Sequence, residues 1–307
     1  MSKQDDIQNV SLMSAVIFNN VYTAVVPWIK SIGFHTNQSA YRERSTLNSQ
    51  AEIYLTNSTH RRNDSQSSYS ILNYLGDAGV NSVALNGHED NSEFFKINLP
   101  EGAPIDLALG EALANRRSIR QFTGDSVEFD YLATVLRAGG GISSTADSQL
   151  TSGGSVKFSF RTYPSAGALY PVSLYVAAIN VNDLSKGIYR YHPSSDALLK
   201  ISDKDACENL LKLSAISDDT ISLLQASFVI LLVIKPWKSM RKYGDRGLRF
   251  NFMESGMISQ NINLAATALG LGGVDCASFY EEEVNELLHL DGVLETFVHA
   301  IILGVSS

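Results

Sequence analysis

Residues 161–171 read RTYPSAGALYP. Pro164 and Pro171 fix the chain direction, while Ala166, Gly167 and Ala168 supply backbone with almost no side chain. A flat ligand can lie against such a segment and use its N–H groups. A plain turn between two strands reads just as naturally. Two alternatives are excluded: no GxGxxG opens a helix and no GxxxxGK[ST] occurs, so neither a dinucleotide fingerprint nor a phosphate loop organises the chain.

Working outward, residues 156–162 and 172–180 are β-rich, 187–201 form a hairpin around HPSSD, and 227–234 are a continuous apolar run suited to a buried strand. Apolar residues at helical spacing predict helices over 105–115, 129–137 and 250–269. The segment GLGGVDCASF reads as a helix end leading into a strand, and 296–303 predict a last strand. Helices and strands mix without strict alternation, which favours α+β over a doubly wound parallel sheet. Residues 36–91 are rich in Ser, Asn, Gln and Thr. The texture changes near residue 95, giving a 1–95 extension of short helices and polar loops and a 96–307 catalytic domain.

Composition narrows the function. The net charge of -8 argues against a surface for nucleic acid or anionic membranes, so an anionic ligand must be met locally. Cys207 and Cys276 form no CxxC pair and read as core thiols. The six histidines show no HxxxH or HExxH spacing, so no metal site is expected, and no GxSxG suggests a hydrolase. The start, MSKQDDIQNV, lacks the basic region of a signal peptide, and the apolar stretch after it is broken by Asn19, Asn20 and Pro27. The expectation is a cytoplasmic protein without a membrane span.

Three constellations carry possible chemistry. In NRRSIRQF, residues 115–122, Arg116, Ser118 and Arg120 stand two apart, so in extended backbone two guanidinium groups and a hydroxyl share one face and converge on a phosphate. Helix C-terminal decoration is the other reading. In RKYGDRGLRF, residues 241–250, Lys242, Arg246 and Arg249 precede a long helix, where cations oppose the dipole. They are either solvated charge or the means of meeting an anion or supplying a base. Within the helix, Glu254, Gln260 and Asn261 lie among apolar residues on nearly all sides, as in a core or a subunit interface.

Taken in order, RRSIRQF, PSAGALYP, IYRYHP, KYGDRG with its ESG and QN helix, and GLGG before a strand resemble the SagB-type (McbC-like) dehydrogenases, the azoline oxidase branch of the nitroreductase superfamily. The resemblance covers about residues 105–304. It implies an α+β nitroreductase-like fold, with a mostly antiparallel central sheet flanked by helices in an intertwined homodimer holding two FMN molecules. It implies that Arg116, Ser118 and Arg120 hold the FMN phosphate and ribityl chain or ring edge, and that Pro164, Ser165, Ala166 and Gly167 lie along the ring. Gln260 and Asn261 match the interface-helix polar pair, and Ala277 and Ser278 complete the implied flavin contacts. The chain ends ILGVSS, without the basic residue many relatives carry toward the phosphate, so Arg116, Arg120 or Arg249 must serve instead. Lys242 and Tyr243 match the catalytic pair.

The implied reaction oxidises a thiazoline or oxazoline in a ribosomally made precursor peptide to a thiazole or oxazole. Lys242 is then the base, and Tyr243 orients the ring or relays the proton. The implied partners are that azoline-containing peptide and a cyclodehydratase complex. A general NAD(P)H-dependent nitro- or quinone reductase would need no base; a cyclic dipeptide or a carrier-bound thiazoline is a further possible substrate.

Overall fold

The computed structural model describes residues 50–59, 71–72, 74, 76–84 and 94–306. The chain has two compact units, 1–60 and 61–307. In the first, the described element is helix α1 (Gln50–Asn57). The second opens with α2 (Asp77–Ala84), β1 (Lys96–Asn98), α3 (Leu109–Asn115), α4 (Phe129–Gly140), β2 (Ile142–Gln149), β3 (Ser155–Arg161) and β4 (Val172–Ala178). It continues with β5 (Gly187–His192), β6 (Ala197–Ser202), α5 (Lys204–Leu211), β7 (Phe228–Ile234), α6 (Pro236–Tyr243), α7 (Gly247–Ala268), β8 (Gly272–Cys276), α8 (Glu281–Leu287) and β9 (Thr296–Gly304). Among the described residues, no helix is long and apolar enough to cross a membrane.

The organising element is β7, whose sequence FVILLVI is buried at every position. Side chains alternate across a strand, so Phe228, Ile230, Leu232 and Ile234 enter one core while Val229, Leu231 and Val233 enter another. The first core holds Leu132, Val135 and Leu136 of α4 with Ile258 and Ile262 of α7. The second holds Cys207 and Leu210 of α5 and Val284 of α8. Helices therefore cover both faces of a seven-stranded sheet in the order β1-β6-β5-β4-β7-β9-β8. Every neighbouring pair is antiparallel. β2 and β3 form a separate hairpin. This is the α+β class that the mixed order of elements predicts. Both cysteines are free and buried, and burial pushes the Cys207 thiol up to about 11.

Several boundaries differ from the sequence reading. The helix expected from 105 begins at Leu109, and the one expected over 250–269 runs from Gly247 to Ala268. Other elements are absent from the sequence reading, and three of them show why. β2, ISSTADSQ, is mostly exposed and exists through its pairing with β3. α5 is started by Asp203, whose carboxylate accepts from the N–H groups of Asp205 and Ala206. α8 opens on Glu281, Glu282 and Glu283, which suit a helix N-terminus.

The first half of α7 is inverted relative to a simple amphipathic helix. Phe252 and Met253 are 50% and 57% exposed, while Asn251 and Glu254 are 0% and 2% exposed. Farther along, the helix packs closely on α4: a Cβ at Gly139 would lie 2.7 Å from Ile262 Cγ1. Its polar side chains then tie it to the sheet. Asp275 of β8 accepts from Ser259 Oγ, from Asn263 Nδ2 at 3.0 Å, and pairs with His299 Nε2 at 2.7 Å. Burial alone would raise this carboxyl, but the hydrogen bonds from His299, Ser259 and Asn263 outweigh it and hold it below its ordinary value.

Asp275→Ala leaves two buried donors short of a partner and is expected to cost about 1–2 kcal/mol in chemical denaturation. Because the folded carboxyl is depressed, its contribution is present above the ordinary value of 3.8 and is lost as pH falls through the folded one. The deficit of the variant should therefore be full at neutral pH and shrink in acid below 3.8.

Candidate active site

The register of β4 on β7 assembles the site. Val172 pairs with Ile234, and the Lys235 N–H donates to Pro171 O at 2.8 Å. The turn entering β4 and the helix leaving β7 are therefore neighbours. The turn is a short 3-10 segment, Ala166–Ala168, with Gly167 at φ 65°. Ala168 and Tyr170 also have positive φ, at 54° and 44°, a conformation that costs non-glycine residues energy and needs support. Tyr170 supplies part of it, because its hydroxyl accepts from the Arg161 N–H at 3.1 Å and its ring lies under the Arg161 guanidinium at 5.4 Å. Ser165 supplies more, since its Oγ accepts from the Tyr170 N–H at 2.9 Å.

The remaining support comes from α7. Glu254 Oε1 accepts from Ser165 Oγ at 3.0 Å and from the Ala166 N–H at 3.2 Å. Glu254 Oε2 is buried without a hydrogen-bond partner among the described residues, as are both amide atoms of Asn251 and the hydroxyl of Ser239. Burial pushes the Glu254 carboxyl up to about 7, against the pull of the hydrogen bonds from Ser165 and Ala166.

Lys242 and Tyr243 end α6, which stops at Gly244. The expectation that Lys242 opposes a helix dipole is corrected here. It lies in the last turn of α6, where the dipole favours a cation; Arg249 is the cation inside the first turn of α7. Lys242 and Tyr243 are brought against the turn: a Cβ at Gly167 would lie 2.6 Å from Lys242 Nζ and 2.7 Å from Tyr243 Oη. The Tyr243 ring packs edge-on against Phe250 at 5.1 Å, one turn before Glu254 on the same helix. Desolvation lowers the pKa of Lys242, whereas burial and then the Glu254 charge raise that of Tyr243.

Tyr74 stands beside Lys242, whose Nζ is 5.3 Å from its ring centroid. The α2 helix that follows Tyr74 is fixed through Asp77, whose carboxylate accepts from the N–H groups of Thr151 at 2.8 Å and Ser152 at 2.7 Å in the β2–β3 loop. A small cleft beside the turn, lined by Arg161, Tyr163, Tyr170 and Lys238 among others, contains neither Lys242 nor Tyr243. Converging polar groups, and not depth, mark the site.

The other sequence candidates stand elsewhere. Arg116 follows α3 half-buried, while Ser118 and Arg120 are exposed in extended backbone. Ser118 bridges Gly273 of β8, and the Ile119 N–H donates to Gly273 O at 2.9 Å. Ala277 and Ser278 follow β8 directly, Ser278 O accepting from the Ala215 N–H at 2.8 Å. The Arg-x-Ser-x-Arg face therefore lies along the β8 edge of the sheet. On α7, Gln260 is exposed, and Asn261 Nδ2 donates to Ala138 O at 3.2 Å and to Thr162 O at 3.4 Å. Pro164 begins the turn. Glu254 and Tyr74 carry no assignment from the sequence. The signal for Glu254 was one carboxylate inside an apolar helix; Tyr74 sits in polar sequence without a pattern.

The nitroreductase family model matches residues 113–305, which is more than half of the chain. The chain belongs to the nitroreductase family. A Methanocaldococcus jannaschii protein named as a nitroreductase is 32% identical over 195 residues, covering 64% of this chain and 90% of that protein. The microcin B17-processing protein McbC of Escherichia coli is 31% identical over 135 residues, 43% of this chain and 49% of McbC. This match thus spans about half of McbC. Among solved structures, a chain of the E. coli microcin synthetase McbBCD complex with truncated pro-MccB17 bound aligns at TM-score 0.52 and 18% identity, over 94% of this chain and 97% of that one. A nitroreductase-family crystal structure from Anabaena variabilis aligns at TM-score 0.56 and 24% identity, over 71% of this chain and 43% of that one. At these identities the structures establish the shared fold.

The geometry makes Gly167 a sensitive position in this nitroreductase-family site. Gly167→Ala forces a left-handed alanine, costing about 1–2 kcal/mol, and drives the added methyl into Lys242 Nζ and Tyr243 Oη. Lower stability in denaturant, together with faster reductive methylation of a displaced Lys242 read by mass spectrometry, is the expected outcome.

Proposed function

We propose that this protein is an FMN-dependent azoline oxidase, which removes two hydrogens from a thiazoline or oxazoline in a precursor peptide and leaves a thiazole or oxazole. The observation that carries the reading is the meeting of Lys242 Nζ and Tyr243 Oη at Gly167, on a turn almost free of side chains. A reductase that passes electrons to a nitro or quinone group has no use for a desolvated amine there. Likeness to McbC, named for microcin B17 processing, supports a peptide substrate. The fold shared with a chain of McbBCD, solved with truncated pro-MccB17 bound, supports action beside a cyclodehydratase.

The donor set fits FMN. At the β8 edge Arg116, Ser118 and Arg120 offer a phosphate two guanidinium groups and a hydroxyl, and Ala277 and Ser278 follow that strand, with Arg249 a further cation at the start of α7. The register sets the β8 edge at the opposite end of the sheet from the turn, so one FMN meeting both would lie between two copies of the chain. The turn Pro164–Ser165–Ala166–Gly167 offers a flat ring backbone with little side chain of its own, with Lys242 Nζ and Tyr243 Oη beside Gly167. FMN, when bound, supplies the two-electron acceptor. The remaining work is proton management by this chain. Lys242 Nζ is partly desolvated, so its neutral form is reached at lower pH than in a free lysine, and it takes the proton that leaves the azoline ring. Once charged, it sits between the rings of Tyr74 and Tyr243 at 5.3 and 5.5 Å, which favour a cation. Tyr243 stays neutral because burial raises its pKa, so its hydroxyl can donate to the ring and orient it.

A homodimer belongs to the same reading. The exposed stripe Phe252, Met253 and Met257 on α7, with Leu109 and Leu113 on α3, offers an apolar face that a second copy would cover. Gln260 lies on that exposed face, where it would serve the partner's flavin.

The deciding experiment is mass spectrometry of an azoline-bearing peptide incubated with the purified protein under air. Each oxidised ring should lose about two mass units, the hydrogens carried away by the flavin. Lys242→Ala should slow this by about 100-fold or more. In wild-type protein the rate should rise with pH through a lysine ionisation lying below the ordinary 10.5. Unchanged peptide mass together with rapid bleaching of the flavin by NAD(P)H would replace this reading with a nitro- or quinone reductase.

A further inference from the structure

The sheet opens beside the candidate active site. β4 pairs with β5 only as far as Tyr175–Arg190, whereas β4 runs on along β7 to Val172–Ile234 and β5 runs on along β6 to His192–Ala197. The two strands therefore part at these ends, and residues 172–174 and 190–193 line the cleft between them. Its remaining wall includes Arg161 and Tyr163, which precede the small-residue turn, and Lys238 of α6. A chain of net charge -8 thus gathers Arg161, Arg190, His192 and Lys238 around one cleft. Among the described residues, the lining holds no carboxylate.

Two of these walls hold unspent hydrogen-bond donors. A guanidinium carries N–H groups on every nitrogen, yet the side chain of Arg161 makes one hydrogen bond to a described residue, from Nη1 to Gly140 O at 3.0 Å. Its plane is steadied over the Tyr170 ring at 5.4 Å, and that ring meets Tyr163 edge-on at 5.6 Å. Tyr163 is 3% exposed and senses the Arg161 charge, and its hydroxyl has no hydrogen bond among the described residues. A buried phenol usually finds an acceptor; here the protein leaves that place open. Two carboxylates stand near the cleft without lining it, and both are engaged elsewhere. Asp196 accepts from Arg137 and from the Tyr191 hydroxyl, and Glu254 accepts from Ser165 and Ala166.

We propose that this cleft is a subsite for a carboxylate of the substrate peptide, gripped by the Arg161 guanidinium and the Tyr163 hydroxyl. The proposal rests on the oxidase reading above, in which the substrate is a peptide. A guanidinium fork matches the two oxygens of a carboxylate, and a neutral phenol adds one donor. The cations of Arg190, His192 and Lys238 suit the same sign of ligand. Position sets the spacing. Lys238 stands one helical turn before Lys242 on α6, a rise of about 6 Å, which about two residues of extended peptide cover. The carboxylate therefore belongs about two residues from the azoline, as an acidic side chain or as the end of the peptide. Holding it there sets which ring of a peptide stands against Lys242. The subsite binds and positions, and no bond is made or broken in it.

Three labelled synthetic azoline-bearing peptides test this with FMN-loaded protein. One carries glutamate two residues from the ring, one carries glutamine there, and in the third the only carboxylate is a C-terminus at that spacing; all other termini are blocked. By fluorescence anisotropy, wild type should bind the glutamate peptide about 10-fold more tightly than the glutamine one, with a matching difference in KM and little in kcat. Preference for either carboxylate peptide supports the proposal and identifies the source of the carboxylate, whereas equal binding of all three overturns it. Tyr163→Phe should shrink the preference and Arg161→Gln should nearly abolish it. The preference is a ratio within one protein, so a variant with a loosened turn weakens all three peptides and leaves the ratio intact. A preference that survives in both variants overturns the proposal. Should wild type prefer the glutamate peptide yet leave its mass unchanged, the oxidase reading fails and the carboxylate subsite stands.

Discussion

The pairing of Val172 with Ile234 is the constraint from which the site follows. It joins the start of β4 to the end of β7, and so brings a turn and a helix that are far apart in sequence to one corner of the sheet. The register is firmly specified, because β7 buries alternate residues in two different cores. A slip by one residue would exchange the two sets of side chains along the whole strand. The position of Lys242 against Gly167 is therefore underwritten by the most apolar segment of the chain, and no flexible loop has to set it.

Helix α7 carries the opposite kind of specification. Its later turns pack apolar residues into the core, while its first turns bury Asn251 and Glu254 and expose Phe252 and Met253. Hydrophobicity alone would rotate such a helix the other way. The hydrogen bonds of Glu254 to the turn, and those of Ser259 and Asn263 to Asp275, resist that rotation. The helix is held by packing at one end and by polar contacts on its buried face, and the apolar outer face is what remains for another surface.

Much of this was legible in the sequence, for reasons that differ by element. Seven consecutive apolar residues in β7 suit a strand buried on both faces, and the prolines bounding the small-residue stretch suit a turn. The strand β2 was not legible, because ISSTADSQ has no alternation and owes its state to β3. The role proposed for position 242 comes from a family resemblance, while the dipole argument offered for it failed: proline at the start of α6 and glycine after Tyr243 mark a separate helix that the charged sequence conceals. Glu254 was visible as a letter but not as a contact. Which face of α7 turns inward depends on Ser165 and Ala166, residues almost ninety positions earlier, and no local pattern reports such a pairing.

Tyr74 belongs to sequence upstream of the segment that defines the family, yet its ring stands beside the amine at the centre of the site. The surroundings of that amine are thus composite, with residues of the family segment on one side and a ring from a separate stretch of chain on another. A wall outside the shared segment is free to differ between relatives whose cores match. Comparisons confined to the shared segment would be blind to that difference.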